Sequence, residues 1–102
     1  MNATYVLAPQ AALDLVEIWR YLREESNSVV ANRVESVILE RLAFLARSPG
    51  VGHAREDLTE MKVRFFPVYS YLIVYRPQTD PLEIVAILHG RRDVQEVLRN
   101  RI

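Results

Sequence analysis

Cysteine is absent from this 102-residue chain. No disulfide framework or thiolate metal site therefore holds the fold, and a reducing, cytoplasmic setting is expected. Net charge is absent too: thirteen basic residues balance thirteen acidic ones, which argues against a protein that coats nucleic acid through overall basicity. No apolar run approaches the length of a bilayer span, and the N-terminus lacks the basic region and apolar core of a secretion signal. No membrane contact is expected. The common catalytic spacings are missing as well: no glycine-rich phosphate loop, no nucleophile elbow, no paired histidines on a helix. With two histidines far apart in sequence, a metal site would need carboxylates from elsewhere, and nothing in the spacing requires them. No metal and no cofactor is expected.

What is present fits one domain over residues 1–102. Half of the residues are hydrophobic, and a chain of this size buries roughly two thirds of its unfolded surface. After a short strand, Thr4 to Leu7, Pro9 suits the first turn of a helix, where its missing N–H costs nothing. That helix runs to about Glu25 with an apolar stripe of Ala12, Leu15, Trp19 and Leu22, while Asp14, Glu17 and Glu24 lie away from the stripe. Ser26-Asn27-Ser28 breaks the period, and Ser28 is expected to cap a second helix reaching about Arg47, with Ala31, Val34, Ile38, Leu42 and Leu45 as its stripe. The short connection forces an antiparallel helical hairpin. Ser48-Pro49-Gly50 ends it, and a loop from Pro49 to Asp57 is the candidate mobile or functional segment.

From Met61 the period changes to two. Met61 to Phe66, Tyr69 to Arg76 and Leu82 to Leu88 read as three antiparallel strands, the last two apolar on both faces and therefore covered on both. Asp93 can cap a terminal helix, with Glu96 three residues on and Val94, Val97 and Leu98 on its apolar side. The expected fold is α+β, a helical hairpin packed on a small antiparallel sheet in the order β-α-α-β-β-β-α.

The richest segment chemically is where the last strand ends. Leu82 to Leu88 runs directly into His89-Gly90-Arg91-Arg92-Asp93, denser in positive charge and hydrogen-bond donors than a reversing turn requires. Residues 1–59 hold six basic against eight acidic side chains, whereas 60–102 hold seven against five. Lys62 and Arg64, two apart, should share a strand face, with two readings open: they line one cleft with Arg91 and Arg92, or they form the solvent side of the sheet. His89 reads as a packed or backbone-bonded residue, since only Asp93 is spaced to orient it as a base. Trp19, Tyr69, Tyr71 and Tyr75 read as packing residues and not as a base-stacking platform.

Over nearly its whole length the chain resembles the RelE/ParE superfamily of toxins from bacterial type II toxin–antitoxin modules. The resemblance is carried by Tyr5 to Pro9, Ala12-x-Asp14-Leu15-x-x-Ile18-Trp19-x-Tyr21, Leu45-Ala46-x-x-Pro49-x-x-Gly52, Arg64, Tyr71-Leu72-Ile73-Val74-Tyr75 and Ile87-Leu88-His89-Gly90-Arg91-Arg92-Asp93. The ParE-like branch is the better match. RelE-like members are ribosome-dependent messenger RNA endonucleases, for which Lys62, Arg64, His89 and Arg92 would be the candidate catalytic set. Leu72 stands where that branch carries an arginine and Leu98 where it carries a tyrosine, so the acid/base machinery is incomplete. The ParE-like resemblance implies a protein-binding inhibitor of DNA gyrase without covalent chemistry and without direct sequence-specific DNA binding, its target surface formed by Arg91, Arg92, Asp93, Leu98 and Arg99. It implies a cognate, ParD-like antitoxin in a hetero-oligomer, lying across Leu15, Trp19, Leu22, Val34, Ile38 and Arg64, with helix stripes not wholly covered from within. A non-toxic remnant that only binds the antitoxin is the third alternative.

Overall fold

A computed structural model describes residues 4–101, as β1 (Tyr5–Leu7), α1 (Pro9–Glu25), α2 (Ser28–Arg47), β2 (Arg64–Val68), β3 (Tyr71–Arg76), β4 (Leu82–His89) and α3 (Val94–Arg101). Pro9 opens α1 as expected. The cap of α2 is Asn27 and not Ser28: the Asn27 side chain accepts the Val30 N–H at 2.9 Å, one residue earlier than the sequence reading placed it. Across the hairpin, Trp19 Nε1 donates to Asn32 Oδ1 at 2.8 Å and the Arg23 guanidinium lies 5.3 Å from the Trp19 ring centre.

The sheet has four strands in the order β1-β4-β3-β2 and is mixed. β2, β3 and β4 form the expected antiparallel meander, but β1 lies parallel to β4, with Leu82 N–H donating to Thr4 O and Ala8 N–H to Ile84 O. One face packs Tyr71, Ile73, Tyr75, Ile84 and Ile87 against Leu15, Ile38, Leu42 and Leu45 of the hairpin. The other packs Val63, Phe65, Val74, Val85 and Leu88 against Val94 and Leu98 of α3. Coverage on both sides explains why β3 and β4 read as unbroken apolar runs.

Both sheet edges are blunted. On β2, Pro67 has no N–H to offer, and His53 exchanges two backbone bonds with Phe65 at 2.9 and 2.8 Å. On the other edge β1 accompanies β4 only as far as Ile84, and beyond it the Ile87 N–H donates to Asp14 Oδ2 at 3.0 Å. Asp14 is therefore buried, 5 % exposed, although it lies outside the Ala12-Leu15-Trp19-Leu22 stripe. It sits on the inner face because Ala11, Asp14, Leu15 and Ile18 recur at helical spacing, and its charge is met by Arg101. Among the described residues no helix is long and apolar enough to cross a membrane.

Candidate functional site

The β2 strand begins at Arg64, not Met61. Residues before it are turned instead of extended: Met61 N–H donates to Thr59 Oγ1, and Val63 N–H reaches back to Met61 O at 2.9 Å. Lys62 is thus an exposed turn residue and shares no strand face with Arg64. Arg64 itself is committed locally. Its Nη1 donates to Gly52 O at 2.6 Å and Gly50 O at 3.4 Å.

Those bonds, with Tyr75, fix the start of the Pro49–Asp57 loop, the candidate mobile or functional segment. The Tyr75 hydroxyl donates to Pro49 O at 2.8 Å and accepts the Gly52 N–H at 2.9 Å. Burial pushes the Tyr75 phenol up from its ordinary value, against smaller opposing effects of the Gly52 bond and the Arg64 charge. Gly52 has to be glycine for a steric reason: a Cβ there would strike the Tyr75 ring, 2.9 Å from Cε1.

The expected basic cluster is divided by the register. Arg64 pairs with Tyr75, which pairs with Ile84, whereas His89 pairs with Tyr71 at the other end of β4. Five residues of strand separate the two ends, about 17 Å. Lys62 and Arg64 therefore lie at one end of the sheet, and His89, Arg91 and Arg92 at the other.

That second end is a built surface. Gly90 N–H donates to Ser70 O at 2.8 Å, tying the β4 terminus to the β2–β3 turn. His89 stacks edge-on against Tyr71 with centroids 5.5 Å apart, and its Nδ1 accepts the Arg91 N–H at 3.1 Å. This is the backbone-bonded role expected of it. Asp93 accepts the Glu96 N–H at 3.1 Å and so caps α3. Arg91 and Arg92 project from the capped turn, both exposed, and among the described residues neither guanidinium has an ion-pair partner. Arg99 is exposed on α3. Leu98, expected to meet a target, is only 1 % exposed and holds α3 onto the sheet.

Two tyrosines add to this end. Tyr69 is 62 % exposed at the tip of the β2–β3 turn with φ 54°, a left-handed conformation unusual for an aromatic residue. It is not the packing residue that alternation suggested. Tyr21 is likewise exposed on α1. A cleft of about 400 Å³ lies between α1 and the end of β4, with Ile18 and Tyr71 in its wall and Tyr21, Arg91 and Arg92 on its rim. Burial, and the neighbouring Tyr21, push the Tyr71 phenol up.

Among the expected antitoxin contacts, Leu15 and Ile38 are buried in the core, Trp19, Leu22 and Val34 are half-buried, and Arg64 is half-buried and bonded as above. The apolar side chains left open on the hairpin are different ones: Leu13, Val16, Tyr21 and Val29. Among the described residues no group of three or more His, Asp or Glu is placed to hold a metal ion.

Residues 5–94 match the family model described as the ParE toxin of the type II toxin–antitoxin system parDE. No curated protein sequence matches the chain. Among solved structures, the chain is similar to one titled as the chromosomal ParDE system from P. aeruginosa, with a TM-score of 0.72 and 19 % identity, covering 86 % of this chain and 96 % of that one. At that identity the likeness is one of fold.

Proposed function

The chain belongs to the ParE toxin family of type II toxin–antitoxin systems, and from that premise we propose that it poisons DNA gyrase by protein contact through the end of the sheet carrying Arg91 and Arg92, and is neutralised by a cognate antitoxin. The observation that carries this reading is the state of those two guanidiniums: exposed, borne on a turn fixed by the Gly90–Ser70 and His89–Arg91 bonds, and without an ion-pair partner among the described residues. Exposed arginines beside exposed tyrosines are the composition that dominates binding hot spots. Tyr69 and Tyr21 supply the aromatic part and Arg99 a further cation.

The messenger RNA endonuclease reading needs a base, an acid and phosphate-holding cations around one phosphodiester. Its candidate set, Lys62, Arg64, His89 and Arg92, is distributed over both ends of the sheet. His89 spends Nδ1 on a backbone N–H, and Arg64 spends its guanidinium on loop carbonyls. These features favour docking over bond cleavage.

The test is expression of the chain alone, scored for blocked supercoiling and broken DNA against loss of translation with cut messages. Blocked supercoiling with uncut messages is expected. Cut transcripts with intact supercoiling would move the chain to the nuclease reading.

A further inference from the structure

The α3 face of the sheet carries a second, smaller hollow at the same strand end. It has a volume of about 260 Å³, with half-buried Leu58 and Leu72 and the Gly90 turn in its wall. Two guanidiniums line it, Arg92 from that turn and Arg55 from the loop before β2. Arg92 thus borders hollows on both faces of the sheet. Unlike Lys62 and Arg64, Arg55 is carried by its loop to the hollow that Arg92 lines, and it is held in place. Its carbonyl accepts the Leu58 and Thr59 N–H groups at 2.9 and 3.1 Å, and Gln95 Nε2 of α3 donates to Asp57 O at 2.5 Å.

The Arg55 guanidinium already shows what it takes. Its Nε and Nη2 donate to the two carboxylate oxygens of Asp57 at 2.9 and 2.8 Å, the two-bond geometry that matches arginine to a carboxylate. This pair is open to water, with 44 % and 63 % of the two side chains exposed, so it contributes little to stability and another carboxylate can replace Asp57 without stranding a buried charge. Arg92 has no ion-pair partner among the described residues, and Asp93 beside it turns its carboxylate to the Glu96 N–H. The setting suits a single acid and not a row of phosphates: Glu56, Asp57 and Glu60 share the loop with Arg55, and Asp93 lines the hollow, so a nucleic acid strand would meet repulsion along its length.

We propose that this hollow is a socket for one aspartate or glutamate side chain of the protein target, held between Arg55 and Arg92, and that Asp57 is an internal competitor for the same guanidinium. The target contact then continues from Arg91 and Arg92 around the strand end onto the α3 face, and Arg55 joins it as a specificity-determining residue. The inference rests on the reading of Arg91 and Arg92 as a protein-docking surface. Binding exchanges one carboxylate for another at Arg55, so the acid on the loop sets how tightly the target is held.

The experiment measures the affinity of the purified full chain for gyrase subunits, each variant first shown folded by circular dichroism. Arg55→Ala should weaken binding by about tenfold, as loss of a hot-spot arginine does. Asp57→Ala should act in the opposite direction and tighten it by about two- to fivefold, because more of the chain then presents a free guanidinium. When Asp57→Ala is combined with Arg55→Ala, that gain should vanish. Glu56→Ala removes the same charge one residue away and should change affinity less than Asp57→Ala; equal gains in the two would assign the effect to net charge and overturn the proposal. Asp57→Ala weakening binding as Arg55→Ala does would overturn it too, since a pair that only shapes the loop gives that result. Wild-type affinity in Arg55→Ala, with the double alanine variant of Arg91 and Arg92 impaired, overturns the socket and spares the protein contact. No binding by the wild-type chain overturns both. A single-stranded oligonucleotide that binds the wild-type chain and not Arg55→Ala would give the hollow to phosphate instead.

Discussion

Arg101, on the last turn of α3, reaches past the open edge of β4 to Asp14 on α1, with Nη1 2.5 Å from Oδ2 and Nη2 2.8 Å from Oδ1. The pair is largely buried, with 12 % and 5 % of the two side chains exposed. It joins elements on opposite faces of the sheet, and Asp14 Oδ2, which receives Arg101 Nη1, also receives the Ile87 N–H. Removing one partner of a buried pair strands the other, at a cost of about 3–5 kcal/mol. Asp14→Ala should lose stability in that range in urea unfolding. Asp14→Ala combined with Arg101→Met should recover part of it, and a double mutant no more stable than Asp14→Ala alone would refute the coupling.

The Pro49–Gly52 turn depends on the Tyr75 hydroxyl, which serves two backbone groups. Tyr75→Phe leaves the Gly52 N–H without its acceptor and should cost about 1–3 kcal/mol. Gly52→Ala should cost a similar amount by overpacking against the buried ring. Hydrogen exchange at Gly52 is the local readout: unchanged protection in Tyr75→Phe would remove the hydroxyl from its role.

Tyr71 and Tyr75 both have phenols raised above the ordinary value of 10.0, chiefly by burial. Burial favours the protonated phenol in the folded state, so between the unfolded and folded values the native chain binds more protons than the unfolded one. Stability is therefore fully present below about pH 10 and falls as pH rises through the raised native values. Urea midpoints should stay level from about pH 8 to about pH 10 and decline above it, less steeply in Tyr71→Phe. A flat profile would contradict the assignment.

Leu98 is a core residue, and Leu98→Ala should destabilise by about 2–5 kcal/mol. Any loss of toxicity in this variant should accompany unfolding or displacement of α3. A fully stable Leu98→Ala chain with lost gyrase contact would restore Leu98 to the target surface.

Much of this architecture is written in local pattern. The helix stripes, Pro9, the Ser48-Pro49 stop and the doubly apolar β3 and β4 carry their own periods and terminators, so α1, α2 and the meander follow from the sequence. Asp14 does not, because its partner lies 87 residues away and a carboxylate on a helix ordinarily faces water. A carboxylate inside the spacing Ala11-Asp14-Leu15-Ile18 was the available signal. Lys62 and Arg64 were joined by alternation alone, which the Thr59 and Met61 turn bonds override. The arginine-rich strand end was legible from density of charge; the two tyrosines beside it were not, since Tyr69 sits in a turn without the glycine or asparagine that marks a positive φ.

The central claim, that Arg91 and Arg92 dock a protein target, is tested most directly by the affinity of the purified chain for gyrase subunits, compared with the double alanine variant after circular dichroism has shown both folded. The account predicts a dissociation constant raised by roughly a hundredfold, about 3 kcal/mol, with α3 and the core unchanged. Equal affinity for the two proteins would contradict it.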